Sequence, residues 1–147
     1  MILLRKILVA TDFSPTSEAA LEYARGLART FGATLDVLHV AENSFLRPTA
    51  ADPQTFREAA WRSLNDSLTE TDRTELHAKP VLLDMADEIS DSITAYARSE
   101  GIDLIVMGTH GRKAMSQLLI GSVAERVVRT AGCPVLTVRT PTGEENA

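Results

Sequence analysis

Residues 107–123 carry the chemistry most readily inferred from this sequence, because glycine recurs there in two short stretches. The first stretch is residues 107–112 (MGTHGR) and the second is residues 121–123 (GSV). Glycine lets the backbone turn sharply and approach a ligand closely, and the start of a helix presents free N–H groups at the positive end of its dipole. Backbone donors in the two stretches are therefore suited to hold a polyphosphate, with Arg112 and Lys113 adding positive charge.

The same residues have a plain structural alternative. Tight turns account for the glycines, and helix capping accounts for Ser122, since Ser122 and Glu125 have the spacing of a capping box. Two standard phosphate motifs are absent from the sequence, namely the P-loop pattern and a G-x-G-x-x-G pattern after the first apolar run. The glycine pattern alone therefore leaves the phosphate and the turn interpretations open.

Several other side chains could also contribute chemistry. Asp12 follows the first apolar run, where a carboxylate either contacts a ligand or caps the next helix or its turn. His110 is placed to contact a phosphate or to act as an acid or base, but we interpret it as an exposed loop histidine. We expect His39 to be a packed or hydrogen-bonded strand residue and His77 to lie in a solvated loop or edge position. Cys133, the single cysteine, is expected to be a small buried residue.

Strands and helices must position these residues. Short apolar runs rich in β-branched side chains predict five strands, at residues 6–10, 34–40, 79–83, 103–107 and 134–138. Helical spacing fills the intervals, with start signals at residues 14–15 and 52–53, a third helix from about residue 86, and a last helix from about Ser122 to Gly132. Phe56, Ala60, Leu64 and Leu68 mark the second of these helices.

Alternation of strand and helix is typical of parallel βαβ units with right-handed crossovers. We therefore predict an α/β fold, a doubly wound open sheet of five parallel strands, in a single domain over residues 1–147. Ligands of such sheets bind outside the carboxyl ends of the strands, where the strand order reverses. This rule points to Thr11 and Asp12 after the first strand, to Val40 after the second and to Gly108 after the fourth.

Composition narrows the classes of function. The 147 residues include 44% hydrophobic and 24% charged side chains, which is ordinary for a globular protein, and the net charge is -5. A general nucleic-acid binder needs a basic field, so we expect no nucleic-acid partner. No apolar run approaches eighteen residues, so we expect no membrane insertion. The single cysteine and an N-terminus unlike a signal peptide lead us to expect a cytoplasmic protein.

The glycine pattern Gly108-x2-Gly111-x9-Gly121-Ser122 is similar to the nucleotide-binding signature of the universal stress protein family. The segments ILVATDFS and AGCPVLTV also resemble that family, and the resemblance covers roughly residues 4–139. In the family the intact signature accompanies ATP binding. The resemblance therefore implies a Rossmann-like sheet of strand order 3-2-1-4-5 that binds ATP, with Mg²⁺ held mainly by the nucleotide phosphates.

The resemblance assigns two groups of positions to the nucleotide. The positions expected around the nucleoside are Thr11, Asp12, Val40, Met107 and Gly108. The positions expected near the phosphates are Gly111, Arg112, Gly121, Ser122 and Val123. Within the first group, Asp12 is expected at the ribose or adenine side, and Val40 is expected to pack against the adenine and to contribute backbone contacts.

The last strand lies at the sheet edge in this topology, and the resemblance implies a homodimer that pairs this strand through Val135, Leu136 and Val138, either alone or within larger assemblies. For function, we expect an ATP-dependent regulatory or sensing module that acts on an unidentified partner protein. A weak ATPase or another nucleotide-acting enzyme remains the alternative. Beyond Asp12 and His110 we find no side chains arranged for general-base catalysis, so we expect slow or no hydrolysis.

Overall fold

Five parallel β-strands form one sheet in the computed structural model, which describes residues 1–42, 53–84, 87–109 and 120–140. The strands are β1 (Lys6–Ala10), β2 (Thr34–Ala41), β3 (Lys79–Asp84), β4 (Leu104–Gly108) and β5 (Val135–Val138). Their order across the sheet is β3-β2-β1-β4-β5, and every neighbouring pair is parallel. The structure therefore confirms the predicted α/β fold and the strand order 3-2-1-4-5.

Helices occupy the intervals between the strands. They are α1 (Pro15–Phe31), α2 (Pro53–Asp66), α3 (Glu70–Glu75), α4 (Ile89–Ser99) and α5 (Ser122–Thr130). None of these helices, which all lie in the described part of the chain, combines the length and apolar character needed to cross a bilayer.

The sheet separates two apolar cores. Ile7 and Val9 of β1 pack on the side of α1 and α2, whereas Leu8 and Ala10 pack on the side of α4 and α5. Successive side chains of a strand point to opposite faces, so a strand covered on both faces must be apolar at every position. This explains why β1 is a continuous apolar run after Lys6.

The ends of α1 follow local signals in the sequence. Ser14 is the N-cap, and its hydroxyl accepts the N–H of Ser17 at 3.3 Å. Pro15 occupies the first helical position, where its missing N–H is not needed. Gly32 ends the helix with φ of 68°, a left-handed conformation that glycine adopts without strain. The start and the stop predicted for this helix are both confirmed.

Two helix predictions need correction. The second helix was expected to include Leu68, but α2 ends at Asp66 and a separate short helix, α3, follows. A capping box starts α3, because Thr69 and Asp72 exchange hydrogen bonds between side chain and backbone. The third helix begins at Ile89 rather than near residue 86.

Candidate functional site

The carboxyl ends of β1, β2 and β4 meet where the strand order reverses. Ala10, the last residue of β1, lies between Leu38 of β2 and Met107 of β4 in the sheet register. The next residue, Thr11, stays attached to β2, because its N–H donates to the Leu38 carbonyl at 2.9 Å. Doubly wound sheets bind ligands in the crevice at this reversal. The fold therefore brings the expected nucleoside positions to the carboxyl-terminal end of the sheet. These positions are Thr11, Asp12, Val40, Met107 and Gly108.

Asp12 lies in the loop between β1 and α1 and is half-buried. Its Oδ1 accepts the N–H of Ser14 at 2.9 Å and the hydroxyl of Ser17 at 2.7 Å. The bond to the residue two positions ahead makes this an Asx turn. Asp12 thus organises the turn into α1, which is one of the two roles that the sequence analysis left open. The helix cap itself is Ser14.

Thr11 ties the same loop together from the other side. Its hydroxyl oxygen accepts the N–H of Phe13 at 3.0 Å, and its carbonyl accepts a hydrogen bond from His39 Nδ1 at 2.8 Å. A carbonyl oxygen only accepts, so Nδ1 of His39 carries a proton. The ring centroids of Phe13 and His39 lie 4.5 Å apart, and Phe13 has φ of +67°. His39 is therefore a hydrogen-bonded strand residue, as predicted, and it anchors the loop to β2.

Val40 and Met107 lie at the ends of β2 and β4, but their side chains are only 5% exposed and belong to the core on the side of α4 and α5. Little of the Val40 side chain is therefore exposed to pack against an adenine. The main-chain groups at the ends of both strands remain the parts closest to the crevice.

Gly108 has a packing role that the sequence did not indicate. A β-carbon on Gly108 would lie 2.6 Å from Thr16 Cγ2 and 3.1 Å from the Thr16 carbonyl carbon. The first turn of α1 thus packs directly against the end of β4. Close approach within the protein accounts for this glycine, in addition to the approach of a ligand that the sequence suggested.

The start of α5 is attached to the end of β4. Gly121 is the N-cap of α5, and its N–H donates to the Thr109 carbonyl at 2.6 Å. Thr109 in turn donates its own N–H to the carbonyl of Val138, at the end of β5, at 3.0 Å. These two hydrogen bonds hold the amino end of α5 beside the crevice.

The interpretation of Ser122 and Glu125 as a capping box is wrong. Ser122 is the first helical residue rather than the cap, α5 has no side-chain cap hydrogen bond, and Glu125 pairs with Arg129 at 2.5 Å. Because the N–H of Gly121 is used by Thr109, the backbone donors without an acceptor inside the helix begin at Ser122 and Val123.

The remaining phosphate positions, Gly111 and Arg112, lie outside the described residues, as do His110 and Lys113. Among the residues that the structure describes, no group of three or more His, Cys, Asp or Glu side chains could hold a metal ion.

The other residues considered in the sequence lie away from the crevice. His77 is exposed in the loop before β3, as predicted, with φ of +48°. Cys133 is half-buried rather than fully buried. Its burial, together with the negative charge of Asp103, raises the pKa of the Cys133 thiol.

Sequence reasoning missed one residue at the site, Ser17. This serine lies in the first turn of α1, is 5% exposed and bonds to Asp12 through both the main chain and the side chain of that aspartate. The spacing Asp12-x-Ser14-x-x-Ser17 was the available signal, because Asp and Ser side chains at a helix start commonly bond to nearby groups.

Comparison with known proteins agrees with this architecture. A model of the universal stress protein family matches residues 4–139. A universal stress protein of Methanocaldococcus jannaschii is 32% identical over 152 residues, covering 97% of this chain and 86% of that protein. A crystal structure of a universal stress protein family member from Burkholderia pseudomallei is 34% identical, with a TM-score of 0.73 over 92% of this chain and 96% of that one.

A further solved structure is informative about ligands. It is the universal stress protein from Archaeoglobus fulgidus in complex with dAMP, which is 25% identical to this chain and has a TM-score of 0.70. The alignment covers 93% of this chain and 99% of that one. Sequence, strand order and structural similarity all lead to one assignment: the chain belongs to the universal stress protein family.

Proposed function

We propose that this protein binds an adenine nucleotide, ATP with Mg²⁺, in the crevice at the carboxyl ends of β1, β2 and β4. The observation that carries the proposal is the hydrogen bond of 2.6 Å between Gly121 N–H and the Thr109 carbonyl, which places the start of α5 beside the point of strand reversal. A helix start at that point offers N–H donors and a positive dipole end to a phosphate. The Archaeoglobus relative in complex with dAMP supports the choice of an adenine nucleotide.

The nucleoside side of the proposed site is built from main-chain groups and one carboxylate. Val40 and Met107 contribute backbone at the strand ends, because their side chains are buried. Thr11 and Gly108 flank the crevice, and Asp12 supplies a carboxylate that accepts hydrogen bonds from the ribose hydroxyls or the adenine amino group.

The phosphate side of the proposed site begins at the N–H groups of Ser122 and Val123. Gly111 and Arg112 complete it in this proposal, with Arg112 supplying positive charge in a protein whose net charge is -5. When bound, Mg²⁺ would neutralise phosphate charge and be held mainly by phosphate oxygens, as is usual for this ion.

Binding without fast turnover fits the state of the Asp12 carboxylate. Two hydrogen bonds from Ser14 and Ser17 occupy Oδ1, so this oxygen is committed to holding the loop. A hydrolytic enzyme must also place an attacking water and stabilise charge at the γ-phosphate. We therefore propose a regulatory module whose nucleotide occupancy alters its binding to a partner protein, which requires different nucleotide affinity in the two states.

Isothermal titration calorimetry with Mg-ATP tests the nucleotide site. We expect the wild type to bind and Gly121→Val to bind much more weakly, because a branched side chain would project where the phosphates approach. Gly121 has φ of −62° and ψ of 155°, a conformation open to any residue, so this variant should still fold.

Gly26→Ala is the matched glycine control for that titration. Gly26 is exposed in α1, and a β-carbon there meets nothing within 4 Å, so Mg-ATP affinity should stay at the wild-type value. Flat heat from the wild type would overturn the proposed function. Equal affinity of the wild type and Gly121→Val would overturn the placement of the phosphates.

We also propose a homodimer that pairs the two β5 strands through Val135, Leu136 and Val138. β5 is one edge of the sheet and these residues are half-buried, so a second copy could cover them. An exposed edge offers unpaired main-chain groups to another chain. The opposite edge, β3, contains Pro80, which has no N–H to donate.

The hydrogen bonds of β5 identify a substitution that tests the dimer. The carbonyl of Pro134 accepts the N–H of Ile105 in β4 at 3.1 Å, and that of Val138 accepts the N–H of Thr109, directly after β4, at 3.0 Å. By strand alternation the main-chain groups of Thr137 therefore face away from β4. Thr137→Pro removes an outward N–H and leaves the bonds to β4 in place. In sedimentation equilibrium at micromolar concentration we expect a wild-type dimer and a folded monomeric variant. A monomeric wild type would contradict the proposal.

A further inference from the structure

Ser17 joins α1 to the loop that carries Asp12. Its hydroxyl oxygen accepts the N–H of Asp12 at 3.1 Å, and its hydroxyl hydrogen is donated to Asp12 Oδ1 at 2.7 Å. Ser17 is 5% exposed, so water competes poorly for these bonds. One hydroxyl therefore holds both the main chain and the side chain of the same aspartate.

The bonding capacity of the Ser17 hydroxyl is fully used. A serine hydroxyl donates one hydrogen bond and accepts two. Ser17 donates to Asp12 Oδ1, and it accepts from the Asp12 N–H and, at 3.3 Å, from the Ser14 hydroxyl. Each hydrogen thus has one acceptor, and the direction of every bond in the cluster is determined.

This cluster orients the Asp12 carboxylate. The Ser14 N–H and the Ser17 hydroxyl both bind Oδ1, so rotation about the side chain would break two bonds at once. The direction of Oδ2 is thereby set. Ser17 itself cannot shift easily, because its N–H is bonded to the Ser14 hydroxyl and its backbone belongs to the first turn of α1.

We propose that Ser17 is a positioning residue for nucleotide binding, which acts by holding the Asp12 carboxylate ready to accept a hydrogen bond from the nucleoside. This role rests on the proposed nucleotide site. A carboxylate ordered before binding loses less conformational freedom when the ligand arrives, so the ordering contributes to affinity. Ser17 contacts the ligand only through Asp12.

A double-mutant cycle tests this role with Mg-ATP as the probe. Hydrogen bonds to charged groups contribute enough that Asp12→Ala should weaken binding by about tenfold or more. Ser17→Ala should weaken binding by a smaller factor, about threefold to tenfold by the same reasoning. Since Ser17 acts through Asp12, the double variant should bind no more weakly than Asp12→Ala alone.

Repeating the titrations with dATP and inosine triphosphate identifies the nucleoside group that donates a hydrogen bond to Asp12. The ribose 2′-hydroxyl as donor predicts that the effect of Ser17→Ala disappears with dATP, whereas the 3′-hydroxyl as donor predicts that it persists with both nucleotides. The adenine amino group as donor predicts that it disappears with inosine triphosphate.

Thr69→Ala is the control for a loss of stability alone, since it removes the cap of α3 away from the crevice. It should lower the melting temperature and leave Mg-ATP affinity unchanged. If Ser17→Ala does not fold, Ser17→Cys replaces it, because a thiol is only slightly larger than a hydroxyl and is a weaker donor.

The outcomes separate the two proposals. A wild type that gives no heat with Mg-ATP overturns the proposed function and, with it, the role of Ser17. A wild type that binds, with Ser17→Ala at wild-type affinity, overturns the role of Ser17 alone. Losses that multiply in the double variant also overturn it, because they would show that Ser17 acts independently of Asp12.

Discussion

Arg25 and Asp72 form a buried ion pair that joins α1 to α3. Arg25 Nε lies 3.0 Å from both carboxylate oxygens of Asp72, and the two side chains are 11% and 1% exposed. Asp72 also accepts the N–H of Thr69 in the capping box, and Arg25 donates to the Ser67 carbonyl at 2.8 Å. Burial alone acts to raise the pKa of Asp72, but the hydrogen bonds from Arg25 and Thr69 outweigh it and lower that pKa.

This ion pair predicts part of the acid sensitivity of the protein. A carboxyl whose pKa is lower in the folded state stabilises the fold above its unfolded pKa of about 3.9, and this stability is lost as the pH falls through the folded value. At pH 7 we expect Asp72→Asn to lower the free energy of unfolding by about 3 kcal/mol, because Arg25 loses its buried charged partner and keeps only the exposed Glu22, at 2.9 Å. The difference from the wild type should shrink below about pH 4.

Urea denaturation at several pH values measures this effect. Asp66→Asn, at an exposed aspartate that ends α2, is the control and should follow the wild type. A stability difference between Asp72→Asn and the wild type that does not change with pH would contradict the explanation.

A second buried contact predicts behaviour in alkali. The Tyr96 hydroxyl donates to Asp36 Oδ2 at 2.8 Å, and Asp36 is 5% exposed. Burial and this hydrogen bond raise the pKa of Tyr96. Unfolded tyrosine ionises above about pH 10. The folded protein retains the proton there, so stability should fall as the pH rises past that value.

Tyr96→Phe should abolish that part of the alkaline loss. At pH 7 it should lower the free energy of unfolding by about 2 kcal/mol, because the buried Asp36 carboxylate loses a hydrogen-bond donor. Thermal unfolding between pH 7 and 11 provides the measurement. Tyr23→Phe, at a tyrosine that is 56% exposed, is the matched control. An alkaline loss of the same size in Tyr96→Phe and the wild type would refute the prediction.

The contact between Gly108 and Thr16 predicts a paired effect. Gly108→Ala should lower the free energy of unfolding by about 2 kcal/mol, because the added carbon would lie 2.6 Å from Thr16 Cγ2. Thr16→Ser removes that methyl group and keeps the hydroxyl, which lies 2.9 Å from the Thr140 hydroxyl. The double variant should therefore recover part of the lost stability.

Chemical denaturation of the wild type and these three variants measures the coupling between the two positions. Purely additive effects would show that the two residues do not press on each other. Gly26→Ala again serves as the glycine control, and it should raise the free energy of unfolding by up to about 1 kcal/mol because alanine favours a helix.

Buried Ser90 predicts a substitution with the opposite sign. Ser90 lies in the first turn of α4 and is 2% exposed, and its hydroxyl has no hydrogen-bond partner among the described residues. Burial of an unpaired hydroxyl is unfavourable. Ser90→Ala should therefore leave the melting temperature unchanged or raise it in differential scanning calorimetry. A clear decrease would show that the hydroxyl is satisfied.

Local signals account for the parts of the fold that the sequence predicted well. The strands could be located because β1 and β4 are covered on both faces and so read as apolar runs. The ends of α1 could be located because Ser14, Pro15 and Gly32 act on the backbone next to them. The short helix α3 was missed although its capping box is visible at residues 69–72.

Contacts between residues that are distant in sequence could not be predicted in this way. Ser122 was mistaken for a cap because the choice of Gly121 depends on a hydrogen bond to Thr109, twelve positions earlier in the chain. Sequence likewise indicated that Gly108 needs no side chain, but a glycine that admits a ligand and one that admits Thr16 look the same in a sequence.

The amino-acid sequence by itself therefore determined the family, the alternation of strands and helices, and the strand ends at which a nucleotide site is expected. Tertiary structure alone decided which groups already have partners within the protein. The N–H of Gly121 donates to the Thr109 carbonyl, the carboxylate of Asp12 accepts from Ser17, and Thr16 fills the space beside Gly108. The physical reason is that hydrogen bonds and close packing depend on distances between atoms. Only the folded chain sets those distances for residues that are remote in sequence.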